Sequence, residues 1–290
     1  MKDMVKEYYS LAKTGLVLGN VISVVGGFAL GSPGAIDPGR LLATAAGIAL
    51  VMASGCVFNN YLDRDIDAKM PRTKDRALAA GRVSPRAALW YGTALGFAGF
   101  LILAAWTNLL AADVAFLGFL VYVWAYTQWS KRQSPAGTFI GAIAGATPPV
   151  VGYAAAGGRL DIAALLLFLI LVLWQLPHFF AIAIRRREEY AAAGIPVLPV
   201  ARGVAATKIV MLASVGGFTV VAPLLAPPGY AGLPYFWTAV LLGLGWLAAG
   251  LFGIRAADEK RWARTMFVIS LAVLVLLFAA MTASAIFLKG

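Results

Sequence analysis

Nine apolar runs, each near the ~20 residues a helix needs to cross a bilayer, occupy most of this chain. They fall at roughly 14–31, 39–59, 85–106, 109–128, 137–157, 161–184, 206–226, 233–254 and 263–287. Gly/Pro turn chemistry separates several of them: GSPGAIDPG after the first, AAGGRLD after the fifth, APPGYAGLP after the seventh. Of the 290 residues, 61% are hydrophobic and 13% charged, where a soluble domain carries about 25% charged residues. The expected fold is all-α, a polytopic membrane bundle of nine helices forming a single domain over residues 1–290. The first run, about Gly15 to Leu30, shows no small-residue cleavage site leading into a soluble domain, so it reads as a retained helix.

The net charge of +11 is explained first by topology. Lys2, Lys6 and Lys13 precede span one, and Arg64, Lys69, Arg72, Lys74, Arg76, Arg82 and Arg86 follow span two. Lys131 and Arg132 follow span four, Arg185, Arg186, Arg187, Arg202 and Lys208 follow span six, and Arg255, Lys260, Arg261 and Arg264 follow span eight. The alternate loops hold only Arg40, Arg159 and Lys289. By the positive-inside rule the N-terminus lies in the cytoplasm and the C-terminus outside, as an odd number of spans requires. No groove-reading or base-stacking module is present, so no nucleic-acid partner is expected. The single cysteine, Cys56, permits no intramolecular disulfide. With one histidine, His178, a structural zinc site is excluded, and a divalent ion would need oxygen ligands, which favours Mg²⁺.

Residues 58–76, FNNYLDRDIDAKMPRTKDR, crowd charges of both signs against the end of span two. Asn59, Asp63 and Asp67 recur every four residues and so share one helix face. Two carboxylates with an amide oxygen one turn earlier suit Mg²⁺, which keeps some water and binds substrate phosphates through its other positions. Arg72, Lys74 and Arg76 follow as a cationic clamp fit for a diphosphate. A solvated loop of local ion pairs is the alternative, and it conflicts with carboxylates starting inside an apolar span. Asp65 lies off the Asp63/Asp67 face and is expected to pair with a neighbouring base.

Two further loops are basic. YTQWSKR, Tyr126 to Arg132, offers Lys131 and Arg132 either to phosphate or to interfacial anchoring. In WQLPHFFAIAIRRREEY, Pro177 is expected to kink span six beside His178. That histidine is either functional or held by a structural hydrogen bond. Glu188 and Glu189 either add metal oxygens or neutralise Arg185–Arg187. The stretch GAIAGATPPVVG either admits a planar ligand to its backbone or closes a helix contact with small residues.

NNYLDRDIDAKMPRTKDR resembles the first aspartate-rich motif of the intramembrane prenyltransferases of the UbiA superfamily, with its Asn-x-x-x-Asp-x-x-x-Asp core. Four stretches together resemble the protohaem IX farnesyltransferases within it, in that family's order. They are DRDIDAKMPRT (63–73), YTQWSKR (126–132), IGAIAGATPPVVGYAAAGG (140–158) and WQLPHFFAIAIRRREEYAAAGIPVLPVARG (174–203). The chain departs from the pattern at RRREEY, where the superfamily carries a second aspartate motif, and at Thr14, where proline is expected.

The resemblance implies a bundle around a central cavity, in the cytoplasmic (inner) membrane of a cell. The active-site loops would be about 59–84, 126–136 and 185–205, facing the cytoplasm. It implies transfer of farnesyl from farnesyl diphosphate to a vinyl group of haem b, a substrate and not a resident cofactor, with addition of water. Asp63, Asp67, Arg72, Lys74 and Arg76 would carry the chemistry, with Mg²⁺ on Asn59, Asp63 and Asp67. Asn59, Asn60, Tyr126, Lys131, Arg132, Trp174, Gln175, His178, Arg185, Glu189 and Tyr190 would contact substrates. The bilayer would deliver both substrates, and a haem A synthase or a terminal oxidase would receive the product. The alternatives are an aromatic or quinone-precursor prenyltransferase on the same scaffold, and a polyprenyl-phosphate carrier that breaks no bond.

Overall fold

In the computed structural model, which describes residues 2–32 and 34–289, each apolar run folds as a helix. The side chains of Lys2, Asp3, Leu288 and Lys289 lie outside the described residues, and so do the topological charges expected at Lys2 and Lys289. A short helix α1 (Lys2–Leu11) comes first. Nine membrane-length helices follow among the described residues. They are α2 (Thr14–Gly31), α3 (Pro38–Leu62), α4 (Pro85–Trp106), α5 (Leu109–Gln133), α6 (Gly137–Gly157), α7 (Ile162–Arg185), α8 (Gly203–Leu225), α9 (Leu233–Phe252) and α10 (Glu259–Lys289).

Helix starts follow local chemistry. The side chains of Asp37, Ser84, Asn108 and Asp161 accept from first-turn N–H groups at 3.0, 3.2, 2.9 and 3.0 Å, to Arg40, Ala87, Ala111 and Ala163. Each satisfies a donor that the helix itself leaves orphaned. Expected and observed ends agree to about a turn except at α5, which continues past Gln128 to Gln133. Helix α7 runs unbroken through Pro177.

Side chains such as Phe97 (71% exposed) and Leu241 (68% exposed) face outward from the bundle. So much apolar surface is a liability in water and is ordinary against lipid. Inside, Leu167, Ile170, Phe180, Met211, Phe218, Trp246 and Met266 pack as one cluster joining α7, α8, α9 and α10. Lipid tails are as apolar as these side chains, so close packing must hold the helices together. The seam between α2 and α6 shows how. A Cβ at Gly31 would lie 2.5 Å from the Tyr153 carbonyl oxygen, and one at Gly27 or Gly152 would collide with the carbonyl of Pro149 or Val24. Elsewhere along α6, Gly141 abuts the Tyr126 ring and Gly145 the Gln175 amide. The glycines of GAIAGATPPVVG thus lie against neighbouring helices, the arrangement that the packing reading of that stretch calls for.

The seam gives a testable result. Gly152→Leu should destabilise the protein by about 3 kcal/mol, because the obstructing atoms are backbone and cannot turn aside. Gly216→Ala on α8, where a Cβ meets nothing within 4 Å, should be neutral or up to about 1 kcal/mol stabilising. Thermal unfolding in detergent compares the two; equal behaviour would refute the seam.

Contacts between segments fix which helix ends lie together. Arg82 to Glu7 (2.6 Å), Lys13 to Asn59 (2.6 Å), Arg132 to Asp65 (2.7 Å), Arg72 to Glu189 (3.9 Å) and Lys260 to Glu188 (2.9 Å) gather the basic segments at one end. The opposite end holds Asp37, Asn108 and the Tyr153–Asp161–Arg159 cluster, in which Tyr153 donates to Asp161 at 2.8 Å.

Candidate active site

The last turns of α3 carry the acidic face into the bundle. Asp63 N–H donates to the Asn59 carbonyl at 2.9 Å and Asp67 N–H to the Asp63 carbonyl at 2.7 Å. Helical register therefore continues past Leu62 and keeps Asn59, Asp63 and Asp67 on one face, as their spacing predicts. All three are buried, Asp63 completely. Two cations hold the carboxylates: Lys131 Nζ donates to Asp63 Oδ2, and Arg76 donates to Asp67 Oδ2 at 2.7 Å. Thr73 Oγ1 donates to the Asp67 carbonyl at 3.0 Å and pins the loop that carries Arg76.

Asp63 Oδ1 is buried with no hydrogen-bond partner, and the nearest ion-pair donor, on Arg132, is 3.9 Å away. A buried carboxylate oxygen without a donor costs a few kcal/mol, unless a cation completes it. Among the described residues no three His, Cys, Asp or Glu side chains group as a metal site. An ion here would therefore take Asp63, Asp67, amide oxygen, water and substrate oxygens, a donor set that suits Mg²⁺.

Asn59 is fully engaged. Its amide donates to Asp63 Oδ2 at 2.8 Å and to Thr127 Oγ1 at 3.1 Å, while its oxygen accepts from Lys13 Nζ at 2.6 Å. Asp63 only accepts, which fixes which end of the amide faces it. As metal ligand, Asn59 would offer the lone pair that Lys13 leaves free.

Sequence reasoning placed Lys13 among the topological charges. The structure brings it into the site on a left-handed backbone, φ 47° and ψ 49°, between α1 and α2. Burial pushes its ammonium pKa down to about 8. Asn60, also expected at the substrate, donates to the Leu11 carbonyl at 2.9 Å and steadies this turn.

The second unforeseen feature is the end of α5, where Val121–Ser130 is π-helical. Its wider i→i+5 bonding brings Thr127 Oγ1 onto the Tyr122 carbonyl at 2.8 Å. It also stacks Tyr122 on Tyr126 with centroids 5.9 Å apart. It buries Thr127 and Ser130 and delivers Lys131 to Asp63. The sequence VYVWAYTQWS carries no signal that separates this from an α-helix.

Across the site, Arg72 lies 3.9 Å from Glu189, which Arg186 also approaches at 3.4 Å. Tyr190 packs on Ile66, Met70 and Ile195, and burial raises its phenol pKa. Arg132 binds Asp65 at 2.7 Å and the Leu62 carbonyl at 2.5 Å, so it braces the acidic turn, and Asp65 has the basic partner expected of it. The arginine holds the Asp65 carboxyl down at about 2.

Three further expected residues lie at the surface, as does Arg72. Glu188 is exposed and paired with Lys260, about 100° around the helical turn from Glu189. Arg185 is exposed at the end of α7. Lys74 is exposed on the loop that turns Arg76 inward.

His178 forms a second locus between α7 and α10. It stacks between Trp174 (centroids 4.9 Å, 22°) and Phe267 (4.7 Å, 30°). Its Nδ1 lies 2.8 Å from Ser270 Oγ, and that hydroxyl donates to the Phe267 carbonyl at 2.6 Å. The serine has one proton to give, so Nδ1 carries the hydrogen and Nε2 keeps its lone pair. Trp174 Nε1 donates to the Ser270 carbonyl at 2.7 Å and Gln175 to the Ala142 carbonyl at 3.3 Å, which holds both side chains beside His178.

A membrane bundle that buries helical carboxylates beneath cationic loops fits the class of intramembrane prenyltransferases. The chain belongs to the UbiA prenyltransferase family, whose profile it matches over residues 20–274. It is 49% identical to the protoheme IX farnesyltransferase of Sodalis glossinidius, over 92% of this chain and 91% of that one. It is 50% identical to that of Chromohalobacter salexigens over the same shares. Among solved structures it resembles digeranylgeranylglyceryl phosphate synthase, with TM-score 0.81, 20% identity and coverage of 98% and 99% of the two chains. It also resembles a UbiA homologue from Archaeoglobus fulgidus bound to GPP and Mg²⁺, with TM-score 0.66, 18% identity and coverage of 95% and 99%.

Proposed function

We propose that this prenyltransferase moves farnesyl from farnesyl diphosphate to a vinyl group of haem b and adds water, giving hydroxyethylfarnesyl haem and diphosphate. The observation that carries the reading is the buried Asp63 carboxylate, with one oxygen unpartnered and the other on Lys131, set among basic loops. The names of its relatives supply the acceptor and the donor class.

Bound at Asp63 and Asp67, with Asn59 in support, Mg²⁺ would neutralise the leaving diphosphate. Arg76 and Lys131 stand at those carboxylates and carry the additional positive charge that a diphosphate requires. Arg72, on the same loop as Arg76, reaches toward Glu189 of the facing segment. When the C1–O bond of the farnesyl group breaks, its electron pair leaves with the diphosphate. The vinyl π pair of haem forms the new C–C bond to the allylic cation. Water then adds to the cation left beside the macrocycle, and its proton goes to the diphosphate. With its proton on Nδ1, His178 keeps the Nε2 lone pair for the haem iron.

The domain is taken as one unit over 1–290, with the acidic site facing the cytoplasm and the C-terminus outside, as the loop charges favour. The membrane is the cytoplasmic one. A haem A synthase or a terminal oxidase would take the product.

The test is purified protein with Mg²⁺, farnesyl diphosphate and haem b, with product followed by mass. Haem should gain one farnesyl plus the elements of water. Unmodified haem alongside a prenylated phenolic acceptor would reassign the acceptor. Diphosphate left intact under all conditions would favour a carrier.

A further inference from the structure

We infer that Lys13 is a diphosphate-binding residue, a third cation of the site beside Arg76 and Lys131. The inference rests on the proposed function and deepens it. Three observations lead to it.

First, no carboxylate pairs with Lys13 among the described residues. Among the described residues, Lys131 and Arg76 each have a buried carboxylate, whereas Lys13 Nζ donates to the neutral oxygen of Asn59. Lys13 is half-buried, and a cation drawn partly out of water without a paired counter-charge carries a cost. It is retained where a ligand supplies the missing charge.

Second, the backbone is set to place it. Lys13 has the one positive φ among described non-glycine residues. A long side chain rarely occupies that region without a reason. Two consecutive asparagines of α3 hold the turn: Asn60 binds the Leu11 carbonyl, and Asn59 takes the ammonium. Leu11, completely buried, packs with Val57, Ala77 and Leu78 and ties the turn to the loop that carries Arg76.

Third, the position is apt. Asn59 touches both Lys13 and Asp63, so the ammonium sits one side chain away from the unpartnered Asp63 oxygen. A diphosphate bridging to that carboxylate through a divalent ion would bring its oxygens beside Lys13. Exchange of Asn59 for phosphate would then free the amide oxygen for the metal. No bond to carbon changes in this step.

The experiment measures binding of inorganic pyrophosphate with Mg²⁺ to the detergent-purified full chain by calorimetry, along with Tm. The variants are Lys13→Met, which keeps the stem, and Lys13→Asn, which favours left-handed backbone. Both should weaken pyrophosphate binding at least about tenfold, equivalent to about 1.4 kcal/mol. Haem binding should not change, and Tm should hold or rise, because an unpaired charge is removed. Wild-type affinity in either folded variant would overturn the assignment while leaving the proposed function in place. A lowered Tm with unchanged affinity would make Lys13 structural and overturn it equally. Wild-type protein that binds no pyrophosphate would overturn both.

Discussion

Asp63→Asn should reduce farnesyl transfer at least about 10³-fold while the protein remains folded. The substitution keeps shape and can still accept from Asn59 and Lys131, so the packing around this buried position survives. It removes one negative charge where a divalent ion is to be held. Metal neutralisation of a leaving diphosphate is worth several kcal/mol, and each 1.36 kcal/mol is tenfold in rate. Asp67→Asn should behave alike, with a smaller loss of order because Arg76 retains an acceptor. Single-turnover transfer, read beside size-exclusion profile and Tm, separates chemistry from folding. An Asp63→Asn enzyme with more than a tenth of the wild-type rate would sink the metal-cage reading.

The second large effect concerns the same pair from the other side. Lys131→Met should destabilise the protein by about 3 kcal/mol, because it strands Asp63 as a buried carboxylate with no close cation. Arg132 at 3.9 Å is too far to replace the lost bond. Adding Asp63→Asn to Lys131→Met should restore most of the stability and none of the activity. The charge that demanded a partner would then be gone, along with the oxygen that holds the metal. A double-mutant cycle in Tm measures this coupling. No rescue by the second substitution would show that Lys131 stabilises through its stem alone.

Both predictions start from a spacing that the sequence shows openly. Asn59, Asp63 and Asp67 remain on one face because backbone bonds carry the helical register across Leu62. The partner of Asp65 could be anticipated only as a nearby base. Arg132 proves to be that base, reached across 67 residues. The proline-bearing α7 was legible as a span, but the state of His178 was not. Its tautomer depends on a serine 92 residues away whose own proton is already committed. The paired glutamates looked equivalent in RRREEY; a single helical step sends Glu188 to Lys260 and Glu189 toward Arg72.

By itself the sequence determined the nine spans, the shared end of the basic loops and the acidic face. Those properties are local: apolar length, charge placement and a four-residue repeat are written in consecutive residues and need no partner. Only the tertiary structure decided that α2 and α6 touch backbone to backbone, that the end of α5 widens into a π-helix, and that Lys13 and Lys131 converge on the acidic face. Those contacts join residues 46 and 68 positions apart. The energy of a buried charge is fixed by what stands beside it in space, and no local pattern records that.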